Sequence, residues 1–202
     1  MSSTVSVLIL AAGSSSRMGK IKQLLPWKES TLLGHTIEIA KLSKASEVIV
    51  VLGSNARLIQ ESIETTEVVF LENTKWKEGL GTSIACGVDY LLNNNKEADA
   101  ALILLGDQAL MNTEYVDKII DLYSSGESGI IGTEYGEKIG VPALFERPYF
   151  SDLLKLDGDR GAQVLLKKLD AKVLGMNPKG KAYDVDTLED YNNLLKMSAN
   201  KD

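Results

Sequence analysis

Short apolar runs alternate with amphipathic segments along the first half of the chain. The runs are almost uniformly apolar, as in strands that a sheet buries on both faces, and they cover residues 5–10, 47–52, 68–71 and 100–105. Between them, apolar residues recur at helical spacing, which predicts helices over residues 31–43 and 82–93. Strands and helices that alternate in this way indicate βαβ units and a mostly parallel sheet.

The alternation becomes less regular after residue 107. Helices are predicted over residues 114–123, 148–156, 162–169 and 188–197, and strands over residues 129–133, 141–145 and 172–176. Asn112 and Thr113 suit the start of the first of these helices, and Thr187 suits the start of the last. Because no repeat, low-complexity tract or linker divides the chain, we expect one domain over residues 1–202, with an ordered core at about residues 4–197.

Composition narrows the functional classes. The 202 residues are 44% hydrophobic and 25% charged, which is ordinary for a soluble globular protein, and the net charge of −6 argues against a basic surface for nucleic acid. One cysteine and one histidine exclude an intrachain disulfide and metal sites built from several such residues. No apolar stretch approaches the ~20 residues of a membrane span, and no positive charge precedes the first apolar run as in a secretory signal. We therefore expect a cytoplasmic protein that binds neither nucleic acid nor membrane.

The segment LAAGSSSRMGKIK, residues 10–22, directly follows the first predicted strand and is called the first loop below. Open α/β sheets bind ligands outside the carboxyl ends of their strands, so the first loop lies where a ligand is expected. Its small residues would let backbone N–H groups approach phosphate oxygens, and Arg17 and Lys22 would supply positive charge. The P-loop spacing is absent, since five residues separate Gly13 from Gly19. A surface turn with two solvated cations is the alternative.

Two acidic segments could hold a metal ion. Asp107 follows the fourth apolar run, and a carboxylate at the carboxyl end of a strand beside a triphosphate suits Mg²⁺, which prefers oxygen ligands. Asp184 and Asp186 share one side of an extended segment, because side chains alternate there with a period of two. A helix cap or a solvated loop residue is the alternative at these positions.

The glycines of the segment EGLGTS, residues 78–83, precede a predicted helix. Gly79 and Gly81 would permit close approach of a ligand, and Thr82 or Ser83 could cap the helix and present a hydroxyl donor to it. A helix that is entered through a glycine turn explains the same segment without a ligand.

The first loop and the residues after it resemble one protein family. The pattern L-A-A-G-x-S-x-R-M-G-x-x-K, followed by LLPW, is similar to that of the nucleotidyltransferases that attach a nucleotide to molybdopterin, and most of all to the molybdenum cofactor cytidylyltransferases. The resemblance extends over nearly the whole chain. It implies an α/β fold, a single-domain three-layer α/β/α arrangement with a mostly parallel Rossmann-like sheet of the nucleotide-diphospho-sugar transferase type.

The resemblance also implies an activity, which is transfer of CMP from CTP to the phosphate of molybdopterin with release of pyrophosphate. Mg²⁺ would be the cofactor, and an apo molybdenum hydroxylase would be a further partner. Arg17, Lys22 and Asp107 would be catalytic, and Asp107 and Asp186 would hold the metal. The residues implied in nucleotide binding are Leu10, Ala11, Ala12, Gly13, Ser14, Ser15, Arg17, Gly19, Lys22, Gly81 and Ser83.

The choice of CTP rests on two differences between the first loop and that of the guanylyl branch of the family. That branch tends to have an extra residue, with Asp, before the lysine, whereas this chain has MGKIK at residues 18–22 without that Asp. The guanylyl branch of the family tends to carry L-A-G-G where this chain has LAAG, and a methyl group at Ala12 would narrow the space for a purine. The alternatives are another NTP transferase, acting on molybdopterin with GTP or on a sugar 1-phosphate, and a non-catalytic maturation partner that binds the cofactor.

Overall fold

Strands and helices alternate along most of the chain. The computed structural model describes residues 3–63, 65, 67–95 and 97–199, so residues 1–2 and 200–202 of the expected domain lie outside the described residues. The strands are β1 (Val5–Ala11), β2 (Pro26–Trp27), β3 (Ser30–Thr31), β4 (Glu47–Leu52), β5 (Val69–Glu72), β6 (Ala100–Leu105), β7 (Ile130–Tyr135), β8 (Lys138–Glu146) and β9 (Leu174–Met176). The helices are α1 (Leu32–Lys41), α2 (Ala56–Ser62), α3 (Leu80–Asn94), α4 (Thr113–Ser124), α5 (Phe150–Leu153), α6 (Gln163–Lys168) and α7 (Leu188–Ala199).

One sheet contains all strands except the short β2–β3 pair, in the order β5-β4-β1-β6-β8-β7-β9. β1 pairs in parallel with β4 and β6, as do β4 with β5 and β7 with β9. Among the described strands of this sheet, only β8 is antiparallel to the rest, because a tight turn through Gly136 (φ 64°) joins it to β7. The chain leaves β1 toward β4 and β5 and later returns to β6 on the other side. The switch point therefore lies between β1 and β6, where such sheets bind ligands.

Helices cover both faces of the sheet. Along β1, Val7 and Ile9 pack in one apolar cluster with α1 and α4, whereas Leu8 and Leu10 pack in another with α3, α5 and α6. This alternation explains the uniformly apolar sequence of the strand, since each side chain has a helix layer to pack against. The three-layer α/β/α arrangement and the mostly parallel sheet are confirmed.

A third apolar cluster connects parts of the chain that are distant in sequence. Its members come from the first loop, the β2–β3 pair, the start of α1, the segment after β6 and the C-terminal segment: Met18, Leu25, Trp27, Leu32, Ala109, Val185 and Leu194. The first loop and the segment that carries Asp184 and Asp186 therefore share one small core.

One predicted helix differs from the structure, and one helix of the structure was not predicted. The helix predicted over residues 148–156 is wrong in extent, because a 3-10 turn (Arg147–Tyr149) leads into the four residues of α5. After α5 the backbone amides of Lys155 and Leu156 bond to the third preceding residue, which tightens the chain into turns. The pattern also missed α2, because only Ala56 and Ile59 are buried in it and no apolar stripe marks it.

Candidate functional site

Side-chain hydrogen bonds hold the first loop in shape. The amide of Gln23, which is buried, donates to the backbone oxygens of Ala11 and Gly13, at 2.9 Å each. Ser15 has a left-handed backbone (φ 55°), and its Oγ accepts from the backbone N–H of Lys22 at 3.2 Å. Gly19 is likewise left-handed (φ 62°), which is a conformation that glycine adopts without strain. These hydrogen bonds fix the conformation of the first loop by joining its beginning and its end.

The first loop borders a cavity of about 530 Å³ at the carboxyl ends of β1 and β6. The predicted site residues that line this cavity are Leu10, Ala11, Ala12, Gly13, Ser14, Arg17, Lys22, Ser83, Asp107 and Asp186. Ser15, Gly19 and Gly81 are not among its lining residues. Gly79 of the EGLGTS segment also lines it, as do residues that have no predicted binding role, namely Gln23, Trp76, Lys77, Leu80, Leu105, Gly106 and Asp159. Most of the predicted binding residues therefore meet in one space.

Lys22 lies between two carboxylates. Its Nζ forms an ion pair with Asp107, and it also contacts the backbone oxygen of Val185 at 3.2 Å and Oδ1 of Asp186 at 3.4 Å. The Lys22 and Asp107 side chains are only 16% and 13% exposed, whereas Asp186 is 45% exposed. Arg17, which is 66% exposed, contacts Oδ1 of Asp186 at 3.1 Å. Two cations and two carboxylates thus form one charged cluster at the edge of the cavity.

Burial and charge shift the pKa values within this cluster in known directions. Burial raises the pKa of the Asp107 carboxyl, Lys22 opposes that shift, and the carboxylates of Asp184 and Asp186 add to it. Burial alone would lower the pKa of Lys22, but Asp107 and Asp186 together raise it above its ordinary value of 10.5. Lys22 is therefore charged at neutral pH and serves as the counter-ion of Asp107.

The donor set at this point fits a hard cation. Oδ1 of Asp107 is buried and has no hydrogen-bond partner in the structure, so the carboxylate has an acceptor to offer. Among the described residues, no group of three or more His, Cys, Asp and Glu side chains could hold a metal ion by itself. Asp107 and Asp186 would supply two oxygens, and a phosphate and water could supply the others, which is how proteins usually bind Mg²⁺.

The backbone around Asp186 is fixed by the start of α7. Oδ2 of Asp190 accepts from the backbone N–H groups of Asp186 and Thr187, at 3.2 and 2.8 Å. In return, the N–H of Asp190 donates to Oγ1 of Thr187 at 3.1 Å, which confirms Thr187 as the cap of the last helix. Val185 is fully buried in the third cluster, so Asp184 and Asp186 extend away from that core as expected.

The two predicted residues in the first turn of α3 have different roles: Ser83 lines the cavity, and Gly81 makes a packing contact outside it. Ser83 lines the cavity, and its Oγ accepts from the amide of Asn73 at 3.0 Å, which leaves the hydroxyl hydrogen of Ser83 able to donate to a ligand. The N–H of Gly81 donates to the oxygen of Gly158 at 2.9 Å. A Cβ at Gly81 would lie 2.5 Å from the backbone oxygen of Asp157, so this glycine is required for close packing of two backbone segments.

Sequence reasoning missed three buried amides that support the site: Gln23, Asn73 and Gln108. Gln23 and Gln108 directly follow Lys22 and Asp107 in sequence, which is the signal that could have identified them. A polar residue that is buried beside a charged site residue needs hydrogen-bond partners, and here those partners are parts of the site. Asn73 has no such neighbour in sequence and gave no signal.

One family model covers most of the site, including the whole first loop, Ser83 and Asp107. Residues 7–173 match the family model of the MobA-like NTP transferase domain. This chain belongs to that family. Asp184 and Asp186 lie beyond the matched residues.

Two relatives match this chain over nearly their whole length. The molybdenum cofactor cytidylyltransferase of Escherichia coli (strain K12) is 25% identical over 190 residues, which are 94% of this chain and 94% of that protein. The nicotine blue oxidoreductase of Paenarthrobacter nicotinovorans is 26% identical over 203 residues, 95% of this chain and 96% of that protein. The two names describe different reactions, so similarity at this level shows the family and not the substrate.

A solved structure of similar length has the same fold. The crystal structure of Rv0371C in complex with manganese, from Mycobacterium tuberculosis H37Rv, superposes with a TM-score of 0.77 at 27% sequence identity, and the match covers 97% of this chain and 100% of that chain. In the part of the chain that the structure describes, no helix has the length and the apolar content to cross a membrane.

Proposed function

We propose that this protein is a Mg²⁺-dependent nucleotidyltransferase that transfers CMP from CTP to the phosphate of molybdopterin and releases pyrophosphate. The observation that carries the proposal is the position of Lys22, the last residue of the first loop, between Asp107 and Asp186. A cation and two carboxylates at the edge of a cavity of this size suit a triphosphate with a divalent metal ion. The family, and the relative named as a molybdenum cofactor cytidylyltransferase, support the reaction type.

The first loop is the proposed triphosphate site. Residues 10–14 line the cavity, and the backbone N–H groups of Gly13 and Ser14 and the Ser14 hydroxyl would be donors to phosphate oxygens there. Arg17 is exposed, and its ion pair among the described residues is with Asp186, so it can turn toward a phosphate at little cost. The hydroxyl of Ser83 is free to donate on the α3 side of the cavity.

Asp107 and Asp186 are the proposed metal ligands. Bound there, Mg²⁺ would neutralise charge on the triphosphate. Lys22 contacts the same two carboxylates, so a metal ion on them would compete with Lys22, whose ammonium group could then face the phosphates. A manganese complex of a related protein of the same fold supports a divalent ion in this family.

The proposed reaction needs no general base from the protein. The acceptor is itself a phosphate, whose second pKa is ~6, so it is mostly dianionic at neutral pH and can attack directly. The attacking phosphate oxygen forms a bond to the α-phosphorus while the bond to the pyrophosphate oxygen breaks. The protein then has to align two anions and offset their repulsion, which Arg17, Lys22 and the N–H groups of the first loop can do.

The base preference rests on Ala12. Its side chain lines the cavity and is nearly buried, so its methyl group takes up room beside the first loop. A steric difference of one methyl group gives a preference of ~10–200-fold, which is incomplete discrimination. We therefore expect CTP to be the best nucleotide, with detectable turnover of others.

Pyrophosphate release tests the proposal. The protein is incubated with Mg²⁺ and molybdopterin, and CTP, GTP, ATP and UTP are compared in parallel, with a sugar 1-phosphate as the control acceptor. Turnover that requires molybdopterin and is fastest with CTP is the expected result. A preference for GTP would overturn the cytidylyl assignment, and turnover only with the sugar phosphate would overturn the acceptor. Binding of nucleotide and molybdopterin without pyrophosphate release would instead indicate a cofactor-binding maturation partner.

A further inference from the structure

Gln108 directly follows Asp107 and connects β6 to the segment that carries Asp186. Its side chain is buried at 1% exposure, and its Nε2 donates to Oδ1 of Asp184 at 2.8 Å and to the hydroxyl of Tyr135 at 2.8 Å. The Tyr135 hydroxyl donates in turn to the backbone oxygen of Val141 in β8. A short chain of hydrogen bonds thus runs from Asp184 through Gln108 to the sheet.

The chemistry of the partners fixes the orientation of the Gln108 amide. An ionised carboxylate can only accept, so the nitrogen of the amide has to face Asp184. The amide oxygen of Gln108 is left buried without a partner in the structure. A buried acceptor without a hydrogen-bond partner is unfavourable. Gln108 has this cost at its amide oxygen, while its amide nitrogen makes the two hydrogen bonds to Asp184 and Tyr135. This orientation of the Gln108 amide favours its hydrogen bond to Asp184.

The segment between Asp184 and Asp186 is held from three directions. Gln108 binds Asp184, the third cluster buries Val185, and Asp190 accepts from the backbone N–H of Asp186. Gln108, which makes the first of these contacts, is the residue that follows Asp107 in the chain. One connection between the two proposed metal ligands therefore runs from Asp107 to its neighbour Gln108 and, through one hydrogen bond, to Asp184.

We propose that Gln108 and Asp184 are positioning residues, which hold Asp186 at the distance from Asp107 at which both carboxylates reach one divalent cation. This inference rests on the proposed function, since it takes Asp107 and Asp186 as the ligands. Asp184 acts in it as a hydrogen-bond acceptor and not as a ligand. In this role the oxygen atom of Asp184 accepts the hydrogen bond from Gln108, and the negative charge of Asp184 is not needed to position Asp186.

Replacement of Asp184 by asparagine and by alanine separates these roles. Asparagine keeps an oxygen that can accept from Gln108 and removes the charge, whereas alanine removes both. Mn²⁺ binding is measured by electron paramagnetic resonance in the presence of CTP, and Mg²⁺ activation and the KM for CTP are measured in the same variants. Loss of an outer contact of this kind costs ~10–100-fold in metal affinity, so we expect that loss for Asp184→Ala and less than about threefold for Asp184→Asn.

Two further variants complete the experiment. Gln108→Leu removes the donor and should match Asp184→Ala in Mn²⁺ affinity, with thermal unfolding to verify that it folds. Asp170→Ala removes one exposed carboxylate elsewhere on the surface and should leave Mn²⁺ affinity unchanged. Equal losses for Asp184→Asn and Asp184→Ala would overturn the inference and make Asp184 a ligand or an electrostatic group. Unchanged affinity in Asp184→Ala would overturn it as well.

The metal assignment itself is tested separately. Asp107→Asn and Asp186→Asn should each weaken Mn²⁺ binding in the presence of CTP. If neither does, the proposed metal site fails. If both do and Asp184→Ala does not, only the positioning role fails.

Discussion

Replacement of Lys22 by methionine should destabilise the ligand-free protein through Asp107. Methionine keeps most of the apolar stem of the lysine, so the change removes the charge and leaves the packing nearly intact. Removal of one partner from a buried ion pair costs about 3–5 kcal/mol, because the other charge is left buried without a counter-ion. Since both side chains are more than four-fifths buried, that range applies to the contact with Asp107. The contact with Asp186, which is 45% exposed, adds less than about 1 kcal/mol.

The destabilisation should depend on pH in a defined direction. Burial raises the pKa of Asp107, and Lys22 is the group that opposes this rise. In Lys22→Met the pKa of Asp107 rises further, and a carboxyl whose folded pKa is raised contributes stability at low pH that is lost as pH rises through that pKa. Lys22 itself stays charged over this range, because its pKa lies above 10.5. The free energy lost in Lys22→Met should thus be larger at about pH 8 than at about pH 5.

A double-mutant cycle measures the interaction directly. Urea unfolding of the wild type, Lys22→Met, Asp107→Asn and the double variant at both pH values gives the coupling free energy. The double variant buries no unpaired charge, so it should be more stable than Lys22→Met at about pH 8. Additivity within ~0.5 kcal/mol, or a loss that does not change with pH, would refute the electrostatic account of the pair.

Three other predictions concern single positions. Arg17→Gln should lower kcat/KM for CTP by ~10–100-fold, the value of a hydrogen bond from a charged donor, while Lys20→Gln, also an exposed cation of the first loop, should change it by less than about threefold. Gly81→Ala should lower stability by ~1–3 kcal/mol in urea unfolding because its Cβ meets a backbone oxygen at 2.5 Å, whereas Gly13→Ala, with nothing within 4 Å, should not. Asp186→Asn should raise the Mg²⁺ concentration needed for half-maximal activity and leave the unfolding free energy within about 1 kcal/mol, and an unchanged Mg²⁺ requirement would remove it from the ligand set.

Topology explains how much of the site could be predicted from the sequence. The first loop and Asp107 each follow a strand whose bounds the apolar pattern gave closely, and parallel neighbouring strands bring their carboxyl ends together. Leu10 lies opposite Leu105 in the β1–β6 pair, so the residues after them had to meet. Buried polar residues such as Gln23 and Asn73 could not be assigned in this way, because their partners are backbone oxygens and hydroxyls that only the folded chain brings close.

The position of Asp186 has a different cause, which the apolar pattern of the strands does not predict. It follows no strand of the sheet, and the family match ends before it. What brings it to Lys22 is the third cluster, in which Val185 and Leu194 pack with Met18 of the first loop. Met18 is adjacent to Arg17 in sequence, and Val185 is adjacent to Asp186, so one apolar cluster helps to position both charged residues. Loss of apolar volume in this cluster should therefore impair Arg17 and Asp186 together, because the packing that places one also places the other.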